Sequence, residues 1–243
     1  MKVDNVKETN TESENTNLFL KLTILFIGMY CQTTWNTILS SLDFYHDKVK
    51  LKFIWKKFPE KNPSFVFPLL KGSFFVIFQT IFFFKQKFFT VKTRIIMIII
   101  GNILITILLP LSVSMLPAGQ GYFVACTLVS ILGIADAGIF MNIYLVICFL
   151  PKEFLVYKNA GIGFSGINMN ILRYFTILIS SSLDGNKNQD KFFEIFIFYG
   201  ISIIFGIIVL IFLILLYKNK TFLMYQKYFN EKQNHKLIDG KII

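Results

Sequence analysis

The sequence predicts an all-α, polytopic membrane protein, a bundle of about six transmembrane helices. Composition is the first sign: hydrophobic residues make up 54% of the 243 and charged residues only 16%, against about a quarter charged in a soluble domain. Distribution is the second. The charges gather in short clusters between apolar stretches of roughly 20 residues or more, the length needed to cross about 30 Å of hydrocarbon. A mean hydropathy of +0.60 agrees.

Six spans follow in order, at 18–42, 65–84, 95–116, 122–150, 159–182 and 192–217. As helices, each closes its backbone hydrogen bonds internally, which hydrocarbon demands of an open-ended structure. Residues 1–17 form a polar tail without the basic-then-apolar order of a cleaved signal, so the first span is expected to be its own insertion signal. Lys21 and Lys71, inside the first and second spans, are expected to snorkel toward the interface. The third and fourth spans meet through the short segment 117–121, which makes them an antiparallel hairpin. The fourth is long enough to tilt or to extend past the hydrocarbon. Residues 218–243 form a basic, aromatic juxtamembrane tail, leaving 18–217 as the six-helix domain.

The net charge of +11 does not point to nucleic acid, because the lysines flank apolar spans, where they meet membrane lipid headgroups. With the N-terminus inside, cytoplasmic segments carry fourteen of the 25 basic residues and outer segments eight. Lys152 and Lys158 count among the fourteen, as a cytoplasmic loop before the fifth span. The balance places both termini in the cytoplasm of a plasma or internal membrane. Cys31, Cys126 and Cys148 lie inside spans without metal-ligand spacing and read as small packing residues. The Asn219-Lys220-Thr221 sequon faces the wrong side for glycosylation on this topology.

Asp136, in Gly133-Ile-Ala-Asp-Ala137, is a carboxylate at membrane depth. It costs about 2.5–3.5 kcal/mol or more unless paired, hydrated or protonated, and is functional by default. Arg173, near the middle of the fifth span, is its expected partner, because an Asp136–Arg173 pair would let both charges stay buried. Trp35-Asn36, near the outer end of the first span, offers a stacking face and an amide to a planar polar solute. The tryptophan fits an interfacial belt equally well. Asn142, Asn168 and Asn170 fit interhelical glue. Gly161-Ile-Gly163-Phe-Ser-Gly166 spells a dinucleotide fingerprint but lacks the preceding strand that the fingerprint needs. Gly161, Ser165 and Gly166 are instead expected to allow close helix packing. No catalytic constellation, metal site or cofactor motif is apparent, so the chain reads as a non-enzyme.

From 133 onward the chain resembles the equilibrative nucleoside transporter family. The residues that carry the resemblance are Gly133-Ile-Ala-Asp-Ala137, Pro151, Phe154, Gly161, Gly166, Leu172-Arg173 and Thr176, with Trp35-Asn36 in the first span and Arg94 opening the third. The resemblance implies a fold like the N-terminal half of a major-facilitator-like carrier, moving nucleosides or nucleobases by alternating access. It implies that Trp35 lines the central cavity and that Asp136 and Arg173 lie near the path or brace it. Phe140 stands where members have a base-binding glutamine, and Thr34 where they have proline. The family has eleven spans, so transport would need a second copy of this chain, a separate partner or the missing C-terminal half. The alternatives are a non-transporting truncated relative acting as scaffold or assembly partner, and an unrelated multipass carrier.

Overall fold

The computed structural model describes residues 2–48, 62–84, 91–182 and 187–238. All regular structure among them is helical: α1 (Lys2–Ser40), α2 (Leu42–Lys48), α3 (Pro63–Phe84), α4 (Val91–Met115), α5 (Ala118–Cys148), α6 (Glu153–Ser182), α7 (Lys187–Leu216) and α8 (Lys220–Ile238). Six segments are long and apolar enough to cross a membrane: Leu18–Ser40, Pro63–Phe84, Val91–Met115, Gly119–Cys148, Glu153–Ile179 and Phe193–Leu216. The chain is thus a multi-pass integral membrane protein. Much of the expected charge bias, including the lysine-rich segment at 49–61 and the basic residues at 85–90, lies outside the described residues.

Local signals set the helix boundaries. Pro117 caps α5 in an extended conformation (φ −55°, ψ 147°), and the Gly121 amide donates back to the Pro117 carbonyl at 2.8 Å. That turn closes the α4–α5 hairpin. Pro151 separates α5 from α6, whose first turn holds Glu153, an acid favoured by the helix dipole. The sequon residue Asn219 is the cap of α8: its Oδ1 accepts the Thr221 amide at 2.9 Å and the Phe222 amide at 3.2 Å, satisfying donors otherwise orphaned at a helix start.

The helices pair by a twofold exchange. α1 packs along α6 as α5 packs along α3; α1 also meets α7 as α5 meets α4, and α4 meets α7. In these pairings the first three spans trade places with the last three, the pattern of an inverted repeat, while the α6–α7 contact has no counterpart of like extent between α3 and α4. α3 and α6 lie at the periphery and expose apolar side chains such as Phe65, Leu69, Val76, Ile167, Ile171 and Phe175, as a lipid-facing surface requires.

Two apolar clusters fill the interior. One holds Leu20, Ile24, Ile99, Ile143, Val146 and Leu213; the other holds Ile38, Leu109, Val129, Leu132 and Phe198. Along five helices, buried polar side chains fall between them: Thr33, Thr34 and Thr37 on α1, Asn102 and Thr106 on α4, Asp136 on α5, Ser165 on α6 and Ser202 on α7. A polar layer so far from water must satisfy itself.

Candidate functional site

The site grows from a glycine. A Cβ on Gly133 would sit 2.5 Å from the Lys71 carbonyl oxygen, so only a glycine lets α5 and α3 touch here. One turn further along α5, Asp136 points at the Lys71 side chain, and its Oδ2 lies 3.1 Å from the Lys71 Nζ. Asn102 of α4 donates its Nδ2 to the other carboxylate oxygen at 3.3 Å. Asp136 and Asn102 are essentially sealed off, at 1% and 0% exposure. The Lys71 ammonium also lies 5.0 Å from the Trp35 ring centre and 5.4 Å from that of Phe75, a distance at which a cation is attracted to an aromatic face. Four helices therefore converge on one charge pair.

This corrects the expected Asp136–Arg173 pair. The carboxylate's ion partner is Lys71, which does not snorkel; it is 8% exposed. Arg173 pairs with Glu194 of α7, donates its Nε to the Ser40 carbonyl at 3.1 Å and lies 5.6 Å from the Phe198 ring centre. Ser40 ends α1, so Arg173 serves the helix terminus, where carbonyls lack intrahelical donors. The sequence placed Asp136 and Arg173 in one pair; the structure divides them between two.

Trp35 and Asn36 also separate. Consecutive residues on a helix point about 100° apart, and while Trp35 turns to Lys71 on α3, Asn36 donates its Nδ2 to Ser165 Oγ on α6 at 2.9 Å. Phe140 meets Phe75 edge-on at 5.5 Å, which places it beside the Lys71 cluster. At the α1–α6 crossing, a Cβ on Gly161 would fall on the Leu25 carbonyl oxygen and one on Gly28 on that of Lys158. Gly166 is roomier: a Cβ there would find Asn36 Nδ2 at 3.8 Å, an ordinary contact. The tightest crossing is at Gly28 and Gly161, and Ser165 contributes a hydrogen bond as well as small size.

Sequence reasoning missed Lys71, Asn102 and Glu194 as members of polar clusters, and Lys158 as a buried charge. Lys158, counted as a loop charge, is fully buried within the bundle. A signal existed for Lys71: Gly133-x-x-Asp136 announces a close crossing followed one turn later by an acid, and Lys71 is a basic residue inside an apolar span. A cavity of about 230 Å³ opens between α3, α4 and α5, lined by Phe82, Arg94, Met97, Gly138 and Asn142 among others.

No family model matches the chain. Among curated proteins, the equilibrative nucleotide transporter 4 of Arabidopsis thaliana is 26% identical over 156 residues, covering 62% of this chain. The aligned region amounts to 34% of that relative's length, so the chain spans about a third of the curated protein it resembles.

Proposed function

We propose that this chain contributes one half of a carrier that moves nucleosides or nucleobases across a membrane by alternating access, its cavity completed by a second copy, a partner or a further segment. The observation that carries the reading is the Trp35–Lys71–Asp136 cluster, with an indole and a carboxylate on one ammonium in the polar layer of the bundle. Polar groups at that depth mark substrate or ion paths. The nucleotide transporter similarity and the inverted helix pairing support the same reading, since rocking of one repeat against another is how such folds alternate.

In this proposal Trp35 stacks on the base, Asn36 and Ser165 set a polar wall, and Phe140 lines the cavity where an amide would meet the base. Asp136 holds Lys71 and couples its charge to transport, while Arg173 braces the end of α1. Nucleoside uptake by cells expressing the chain tests this. Trp35→Ala at matched surface level should raise the KM about fivefold or more, as expected for a lost stacking partner worth about 1–3 kcal/mol. An unchanged KM for Trp35→Ala would overturn it. Asp136→Asn should alter uptake or its pH dependence, and an unchanged profile removes the coupling role.

A second reading, a non-transporting scaffold or assembly partner, draws on Phe140. Its ring is engaged edge-on with Phe75 and offers no hydrogen bond to a base. Absence of uptake by this chain together with every candidate partner would favour that reading.

A further inference from the structure

Two helix crossings in the bundle are built alike. At the first, Gly133 of α5 receives the Lys71 carbonyl of α3, and Trp35 of α1 lies beneath the lysine's ammonium. At the second, Gly28 of α1 receives the Lys158 carbonyl of α6, and the Phe140 ring of α5 lies 5.3 Å from the lysine's ammonium. Trp35 stands seven residues after Gly28, and Phe140 seven after Gly133. Under the exchange of α1 with α5 and α3 with α6, Phe140 is to Lys158 what Trp35 is to Lys71.

The crossings differ in the counter-charge. Three residues after Gly133 stands Asp136, which neutralises Lys71. Three residues after Gly28 stands Cys31, and a thiol is only a weak acceptor. Lys158 is 0% exposed, and its Nζ has no hydrogen-bond acceptor among the described residues. Two aromatic faces stand in: Phe140, and Tyr144, whose ring centre is 3.7 Å from the ammonium. Aromatic faces attract the charge but leave the three N–H donors unused. Tyr144 is 42% exposed, so the ring on this ammonium also borders the bundle surface, and an exposed side chain changes rotamer readily.

We propose that Lys158 is an anchor for an anionic group, a phosphate or carboxylate, reached when the Tyr144 ring swings off the ammonium. This rests on the transport reading and extends its substrate class to a solute that carries a negative charge as well as a base. The anion takes the place that Asp136 holds at the equivalent crossing, and accepts a charge-assisted hydrogen bond from the ammonium.

The test is binding of AMP and of adenosine to the full chain in phosphatidylcholine nanodiscs, repeated with phosphatidylglycerol added. AMP should bind about tenfold or more tighter than adenosine, as charge-assisted hydrogen bonds predict. Lys158→Gln and Cys31→Asp should each erase that preference, the second by supplying an internal carboxylate with the lysine still present, and Lys158→Arg should retain it. Weaker AMP binding in phosphatidylglycerol identifies a lipid headgroup phosphate as a second source of the same anion; unchanged binding assigns the anchor to soluble anions. AMP binding no tighter than adenosine, or a preference that survives Cys31→Asp, overturns the proposal. Adenosine binding without an AMP preference would do so while leaving the transport reading in place, because that reading stands or falls on Trp35 and uptake.

Discussion

Gly133 and Lys71 touch through backbone: a side chain on the glycine would begin 2.5 Å from the lysine's carbonyl oxygen. That approach is what brings the Lys71 ammonium within 3.1 Å of Asp136. Among the described residues, the more buried of the two charge pairs therefore depends on a residue with no side chain.

Replacing Gly133 with leucine should separate α3 from α5 and cost at least about 1–3 kcal/mol, the usual range for overpacking. Gly161→Leu should do the same to the α1–α6 crossing. Gly163→Ala, with nothing within 4 Å of its Cβ position, should be neutral. Surface levels and thermal unfolding in detergent check all three; normal behaviour of Gly133→Leu would refute the contact.

Loss of one member of the Lys71–Asp136 pair should harm the protein more than loss of both. A buried charge stripped of its partner costs about 3–5 kcal/mol, whereas replacing both with apolar residues of similar volume is often close to neutral. Lys71→Met should be strongly destabilising, and Lys71→Met with Asp136→Leu milder. Exchanging Lys71 with Asp136 should preserve folding, while exchanging Asp136 with Arg173 should not. A double-mutant cycle on unfolding midpoints measures the coupling; zero coupling would mean that the two charges are independent.

Phe140→Gln should improve nucleoside recognition if the transport reading holds. An amide at this position adds about 0.5–1.5 kcal/mol of hydrogen bonding to a base, up to about tenfold in affinity. It also removes the edge-on contact with Phe75, so the affinity should be measured at matched expression. A weaker or unchanged affinity counts against Phe140 as a wall of the solute site.

Tyr45, on α2 beyond the first span, donates to or accepts from Tyr199 Oη at 2.6 Å. Burial, and then the neighbouring Tyr199, push its phenol well above the ordinary value of 10.0. In the unfolded chain Tyr45 gives up its proton near that ordinary value, while the folded protein retains it. Above about pH 10 the unfolded state thus holds fewer protons, and stability falls as pH rises. Tyr45→Phe should make that alkaline loss shallower and cost about 1 kcal/mol at neutral pH through the missing hydrogen bond. Unfolding midpoints across the alkaline range decide it, and an unaltered slope in Tyr45→Phe removes the assignment.

The sequence by itself determined the solvent and the spans. Crossing hydrocarbon sets a minimum apolar length, and the six spans read at 18–42 through 192–217 correspond to six helices, the fifth of which begins six residues earlier than read, at Glu153. It also marked Trp35, Asp136 and Arg173, because a charge or a tryptophan beside an amide stands out in an apolar run. What it did not determine was which charge meets which. Pairing depends on helix rotation and on where backbones come closest, and both are decided by glycine contacts between helices distant in sequence: Gly133 on Lys71, Gly28 on Lys158 and Gly161 on Leu25. Those contacts turned Lys71 inward to Asp136, left Arg173 to Glu194, and buried Lys158 between two aromatic rings. The inverted repeat was hidden for the same reason, since its equivalent positions share backbone contacts rather than a run of sequence. Tertiary structure decided the site because, inside a bilayer, a polar group has only other protein groups with which to pair.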